Sequence, residues 1–209
     1  MDVRRSFRDR FGLLLGALLS ALAVLPATGC GRTGPASRPV AVGSSAPVVH
    51  ASDLGGAAVD LGGTRGGIHG GPVLLSFVSS DPGTLPSRAT AVVDASMALQ
   101  YRSAGLQVVL ADLSATRWPQ DQADDRLTNL GYDWHLGAVR IVRAQDLGAL
   151  AAAYDAGSAP ATFLIGADGT VLKHWDGTLL AQSVALALPA AGVRATVGDV
   201  SATTPAQQP

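Results

Sequence analysis

The sequence predicts an α/β three-layer sandwich, with a central mixed sheet flanked by helices and an N-terminal β-hairpin. Three observations carry this. Pro72-Val73-Leu74-Leu75-Ser76-Phe77-Val78 and Leu106-Gln107-Val108-Val109-Leu110-Ala111 are apolar runs that suit strands buried on both faces. A helical pattern lies between them, the kind of crossover that joins parallel strands. Asp168-Gly169 separates two later strand-like runs, a strong hairpin signal.

Taken in order, Pro47-Val48-Val49-His50-Ala51 and Ala57-Ala58-Val59-Asp60-Leu61 flank Asp53-Leu54-Gly55-Gly56, which reads as a small hairpin turning at the glycines. Residues 62–71 form a glycine-rich loop before the first apolar run. A helix is expected over 87–104, with Ala89, Val93, Met97 and Tyr101 on one face and Gly105 ending it. After the second apolar run, the polar stretch 120–130 suits a helix, 139–142 a short strand and 147–154 another helix. The runs 161–165 and 170–175 make the closing hairpin, and 179–188 a final helix. Strand, helix, strand, helix, hairpin and helix in this order give a sheet with a parallel part and an antiparallel edge pair.

The chain has 209 residues, 47% hydrophobic, and a formal charge of -1. That length accommodates one ordinary domain with tails. The near-neutral charge gives no electrostatic reason to expect nucleic acid as a partner. Cys30 is the single cysteine, so neither an internal disulfide nor a cysteine-based zinc cage can form.

Residues 1–29 read as a signal peptide. Arg4, Arg5, Arg8 and Arg10 precede an uncharged stretch from Phe11 to Gly31 with a leucine-rich centre, and small residues lead to Cys30. This end resembles a bacterial lipobox, with Ala27 where leucine is usual, and implies lipidation at Cys30. Arginines on the N-terminal side place the rest of the chain outside the cytoplasm, whether the stretch is cleaved or stays as an uncleaved transmembrane anchor. The lipobox resemblance implies a lipid anchor at the cell membrane of a bacterial envelope. Residues 30–42 then read as the lipidated cysteine and a flexible tether, 43–190 as the folded domain and 191–209 as a disordered tail.

Three motifs inside the domain resemble one family. They are Val42-Gly43-x-x-Ala46-Pro47 with Asp53-Leu54-x-Gly56-x-x-Val59-x-Leu61, then Pro72–Phe77, and then Ala159-Pro160-Ala161-Thr162-Phe163-Leu164-Ile165-x-x-Asp168-Gly169-x-Val171. In this order they resemble the redoxin branch of the thioredoxin-like superfamily, which includes TlpA/ResA-like thiol-disulfide proteins and AhpC/TSA-related peroxiredoxins. The resemblance implies a thioredoxin-like fold, an active site where the strand ending at Val78 meets a helix, and a cis-proline loop at Ala159-Pro160.

The active-site cysteines are absent. A gapless alignment places Pro82 and Leu85 at the Cys-x-x-Cys positions, and no cysteine follows Cys30. The nucleophile of this chemistry is a thiolate, so neither dithiol exchange nor cysteine-peroxidase turnover can run. Ser79, Ser80, Asp81 and Thr84 cluster at the same place. They suit either helix capping or binding, because a nucleophilic hydroxyl needs a positioned base and the four histidines (His50, His69, His135 and His174) are scattered. No metal-ligand spacing occurs, and no cofactor is implied.

The reading is therefore a redox-inactive, membrane-anchored lipoprotein that binds a peptide, a protein or a small ligand. Its site would be the groove formed by Ser79, Ser80, Asp81 and Thr84 with Ala159 and Pro160, its partner an envelope protein or peptide. Free N–H groups at the helix start would suit an anion. Two alternatives stand beside it: an enzyme working without cysteine, and a structural accessory subunit of envelope redox or cytochrome-maturation machinery.

Overall fold

Val73–Val78 is buried at every residue, so this strand (β3) must have neighbours on both edges and layers on both faces. The computed structural model, which describes residues 40–62, 70–81 and 84–194, supplies them. The leader, Cys30, the tether up to residue 39, the loop 63–69, Pro82 and Gly83, and the tail from 195 lie outside the described residues.

The elements are β1 (Val49–Ser52), β2 (Ala58–Leu61), β3, α1 (Leu85–Tyr101), β4 (Gln107–Asp112), α2 (Gln120–Asp133), β5 (Arg140–Ile141), α3 (Ala144–Ala153), β6 (Ala161–Ile165), β7 (Val171–Asp176) and α4 (Ala181–Ala187). Short 3₁₀ turns occupy Leu113–Arg117 and Leu188–Ala191. Five strands form one sheet in the order β5-β4-β3-β6-β7, and β1 and β2 form a separate hairpin. β3 runs parallel to β4 and antiparallel to β6, which in turn pairs antiparallel with β7. This is the mixed three-layer sandwich the sequence predicts.

Strand alternation sorts the layers. Ser76 and Thr162 are cross-strand partners facing α1, where Ser76 Oγ donates to Asp94 Oδ1 at 3.0 Å. Their neighbours Phe77 and Phe163 point the other way and pack with Tyr154, just past α3, at ring-centroid distances of 5.9 and 5.3 Å. The Leu179 N–H donates to Thr90 Oγ1 of α1 at 3.1 Å, so α4 starts in the same layer as α1. Leu74, Leu75, Leu110, Leu164 and Ile165 fill the sheet's two faces, closed by Leu127, Leu147 and Leu150 from α2 and α3.

Both hairpins turn where the sequence places them. Gly56 (φ 80°) and Gly169 (φ 83°) take the left-handed conformation that glycine adopts without strain. Gly62 is required for another reason: a Cβ there would stand 2.2 Å from the Pro47 carbonyl oxygen.

Three sequence expectations change. α1 buries Ser87, Thr90, Ala91, Asp94, Met97, Ala98 and Tyr101, whereas Ala89 is exposed and Val93 half-buried. α1 also begins at Leu85 rather than Ser87, with Pro86 in its first turn, a position where the missing N–H costs nothing. Finally, packing continues to Val193, which is buried within the segment read as a tail.

Candidate functional site

The end of β3, the start of α1, the turn after β4 and the loop before β6 converge on one side of the sheet. Ser79, Thr84, Leu113, Thr116, Arg117, Ala151, Ala156, Gly157 and Ala159 line a cleft there of about 470 Å³. The structure thus brings Ser79 and Thr84 to the same cleft as Ala159, although 75 residues separate Thr84 from Ala159 in sequence (159 minus 84). Pro82 lies outside the described residues. Leu85, the other position expected for a cysteine, begins α1 and is 75% exposed.

A dense hydrogen-bond network shapes the loop after β3. The Ser79 N–H donates to Ser87 Oγ at 3.0 Å, and Ser79 Oγ donates to Asp81 Oδ2 at 3.1 Å. Ser79 Oγ also lies 3.0 Å from Ser114 Oγ. The Ser80 N–H is shared between Ser114 Oγ at 2.9 Å and Asp112 Oδ1 at 3.1 Å. Arg117, which lines the cleft, pairs with Asp81 Oδ2. Thr84 donates its hydroxyl back to the Ser79 and Asp81 carbonyls instead of capping α1.

Asp112, Ser114 and Arg117 are the members that the sequence reading missed. They stand at the end of β4 and in the 3₁₀ turn behind it, next to β3 only because the two strands are parallel neighbours in register. Asp112 Oδ1 accepts from Ser114 N–H at 2.9 Å, a local capping pattern. That Asp-x-Ser spacing was the available signal.

Two chemical possibilities can be weighed on this geometry. Ser79 has a carboxylate within hydrogen-bond reach, the first requirement for a hydroxyl nucleophile. Asp81 Oδ2 is, however, already occupied by Arg117, and Ser79 Oγ is shared with Ser114. The described histidines lie elsewhere: His50 is paired with Asp60 on the hairpin, His135 follows α2, and His174 stacks on Phe163 at 4.2 Å. Anion capture at the start of α1 is also weakened. The Ser87 and Arg88 N–H groups donate to the Thr84 carbonyl, and Pro86 has none.

The other wall is backbone. The Ala159–Pro160 peptide is cis, and Pro160 receives a hydrogen bond from the Gly177 N–H at 2.8 Å. Among the described residues no hydrogen bond engages the Ala159 N–H or carbonyl, although Ala159 lines the cleft and is only half-buried. A larger opening of about 740 Å³ runs along β7 beside α4, away from these residues.

The strand order, the cis-proline loop facing the start of α1 and the separate N-terminal hairpin define a thioredoxin-like protein without active-site cysteines. Solved structures agree. A Chlorobium tepidum structure described as the thiol:disulfide interchange protein DsbE is 25% identical, with a TM-score of 0.52 over 73% of this chain and 98% of that one. A thiol:disulfide interchange protein from a Bacteroides species is 18% identical, with a TM-score of 0.53 over 69% of this chain and 88% of that one. StoA from Bacillus subtilis is 18% identical, with a TM-score of 0.51 over 68% and 96% respectively. No protein-family model and no curated protein matches the chain.

Proposed function

We propose that this chain is an exported, lipid-anchored thioredoxin-like protein that does no thiol chemistry and holds an extended peptide segment of an envelope protein. The observation that carries the binding reading is the Ala159 backbone, unpaired among the described residues at the floor of an open cleft. An extended segment would pair with it by strand addition, with main-chain hydrogen bonds giving affinity. Small side chains at Ala151, Ala156 and Gly157 leave room beside it. Support for the location comes from the arginines, the apolar stretch and the cysteine at its end.

The test is binding of the unit from Ala36 onward to an array of unstructured peptides, in the parent sequence and in Ala159→Pro, which removes the N–H. Capture that is lost in the variant supports the reading, and an array silent for both overturns it. A second reading, cysteine-independent hydrolysis, is favoured by the single contact between Ser79 Oγ and Asp81 Oδ2. Ester turnover abolished in Ser79→Ala with peptide binding absent would put it first.

A further inference from the structure

Helix α1 is apolar on two sides. One side is the buried face, and the other carries Leu85, Val92 and Leu99 at intervals of seven, exposed by 75%, 56% and 71%. Seven residues are nearly two turns, so the three stand in one stripe on the order of 21 Å long. The small residues Ala89 and Ser96, both exposed, fall between them and leave the three large side chains standing clear. In the same layer Leu180 and Leu186, before and within α4, are 62% and 76% exposed. Of the eight large apolar side chains exposed among the described residues, this layer therefore holds five, too many for random scatter.

The charges of the layer are one-sided. Residues 85–104 and 179–194 contain Arg88, Arg102 and Arg194, all exposed, and a single acid, Asp94, which is buried. The arginine ion pairs among the described residues engage Arg117, Arg140 and Arg143 instead. Across the sheet, residues 113–158 carry four arginines against six aspartates, a net of -2 (4 minus 6). Among the described residues the α1/α4 layer is apolar and basic, and the layer across the sheet is acidic.

We infer that the α1/α4 face lies against an anionic bilayer surface. Leucines and valine would enter the headgroup boundary while arginines contact lipid phosphates, the pattern of surface-bound amphipathic helices. A second copy of the chain fits less well, because two such faces would bring the α1 arginines together with no exposed acid on α1 or α4 to answer them. Neither the site cleft nor the β7 cleft is lined by Leu85, Val92 or Leu99, so this stripe is a surface and not a slot for a protein segment. Leu180 and Leu186 border the β7 cleft, beside Lys173 and Asp176. The inference does not depend on lipidation at Cys30 or on peptide binding.

The unit from Ala36 onward contains both sheets and the described core, so it can be tested without the leader or the cysteine. Co-sedimentation is measured with vesicles of phosphatidylglycerol mixed with phosphatidylcholine and with phosphatidylcholine alone. Expected are a preference for the anionic vesicles that salt reduces, a loss on the order of tenfold in the triple variant Leu85→Ser, Val92→Ser, Leu99→Ser, and loss of the lipid preference in Arg88→Gln, Arg102→Gln. Circular dichroism confirms that these surface variants fold. No binding to anionic vesicles, or equal binding by parent and variants, overturns the inference. So does a concentration-dependent dimer, or saturable binding to an acidic protein, that the triple variant abolishes while vesicle binding is unchanged.

Discussion

Asp94 reaches from the buried face of α1 to the middle of the sheet, where its Oδ1 accepts the Ser76 hydroxyl at 3.0 Å while its Oδ2 has no partner among the described residues. Ser76 Oγ is in turn 3.0 Å from Thr162 Oγ1, so one carboxyl ties α1 to β3 and β6. β3, β6 and α4 contain no ionisable group, and Asp112 ends β4. On the outer strand β7, His174 lies on the opposite face of the sheet, while Lys173 is on the same face as Thr162 but exposed.

Burial pushes the Asp94 carboxyl up to about 8 from 3.8, with the Ser76 hydrogen bond opposing the shift. The folded chain then keeps a proton that the unfolded chain releases above pH 3.8. Stability contributed by this group is fully present below that value and is lost as pH rises to about 8, by at most roughly 6 kcal/mol. Urea unfolding across this range should show the decline in the parent and a flatter profile in Asp94→Asn. Parallel profiles would mean that the proton is not held at Asp94.

Ser114 is the hinge of the site network. Ser114→Ala removes the contact to Ser79 Oγ and the acceptor for the Ser80 N–H, leaving only Asp112 Oδ1 for that donor. A loss of about 1–2 kcal/mol in urea unfolding is expected, with weaker peptide binding. Arg117→Ala should cost under about 1 kcal/mol, since that pair is solvent-exposed on both sides.

Tyr154 offers the opposite sign. Its hydroxyl is buried with no partner among the described residues, and burial holds its proton well above the usual phenol range. Tyr154→Phe keeps the ring contacts with Phe77 and Phe163 and removes an unsatisfied group. Thermal unfolding should show unchanged or higher stability, by up to about 1 kcal/mol.

The sheet and its hairpins were legible because continuous apolar runs and Asp-Gly or Gly-Gly turns leave few alternatives. The orientation of α1 was not. A helix with apolar residues on two sides offers two candidate stripes, and the one that faces the sheet carries Ser87, Thr90 and Asp94, whose partners (the Ser79 N–H, the Leu179 N–H and the Ser76 hydroxyl) arrive only with folding. The site was half legible. Ser79, Ser80, Asp81 and Thr84 are close together in sequence, and motif resemblance joined them to Ala159 and Pro160. Asp112, Ser114 and Arg117 enter through the parallel register of β3 and β4, which no local pattern specifies.

The most direct test of the account is reduction of insulin disulfides, with peroxide turnover alongside, by the unit from Ala36 onward and a cysteine-containing thioredoxin-like protein as positive control. The account predicts rates at background for both reactions, because no thiol is present after Cys30. Reproducible turnover by this cysteine-free unit would contradict it.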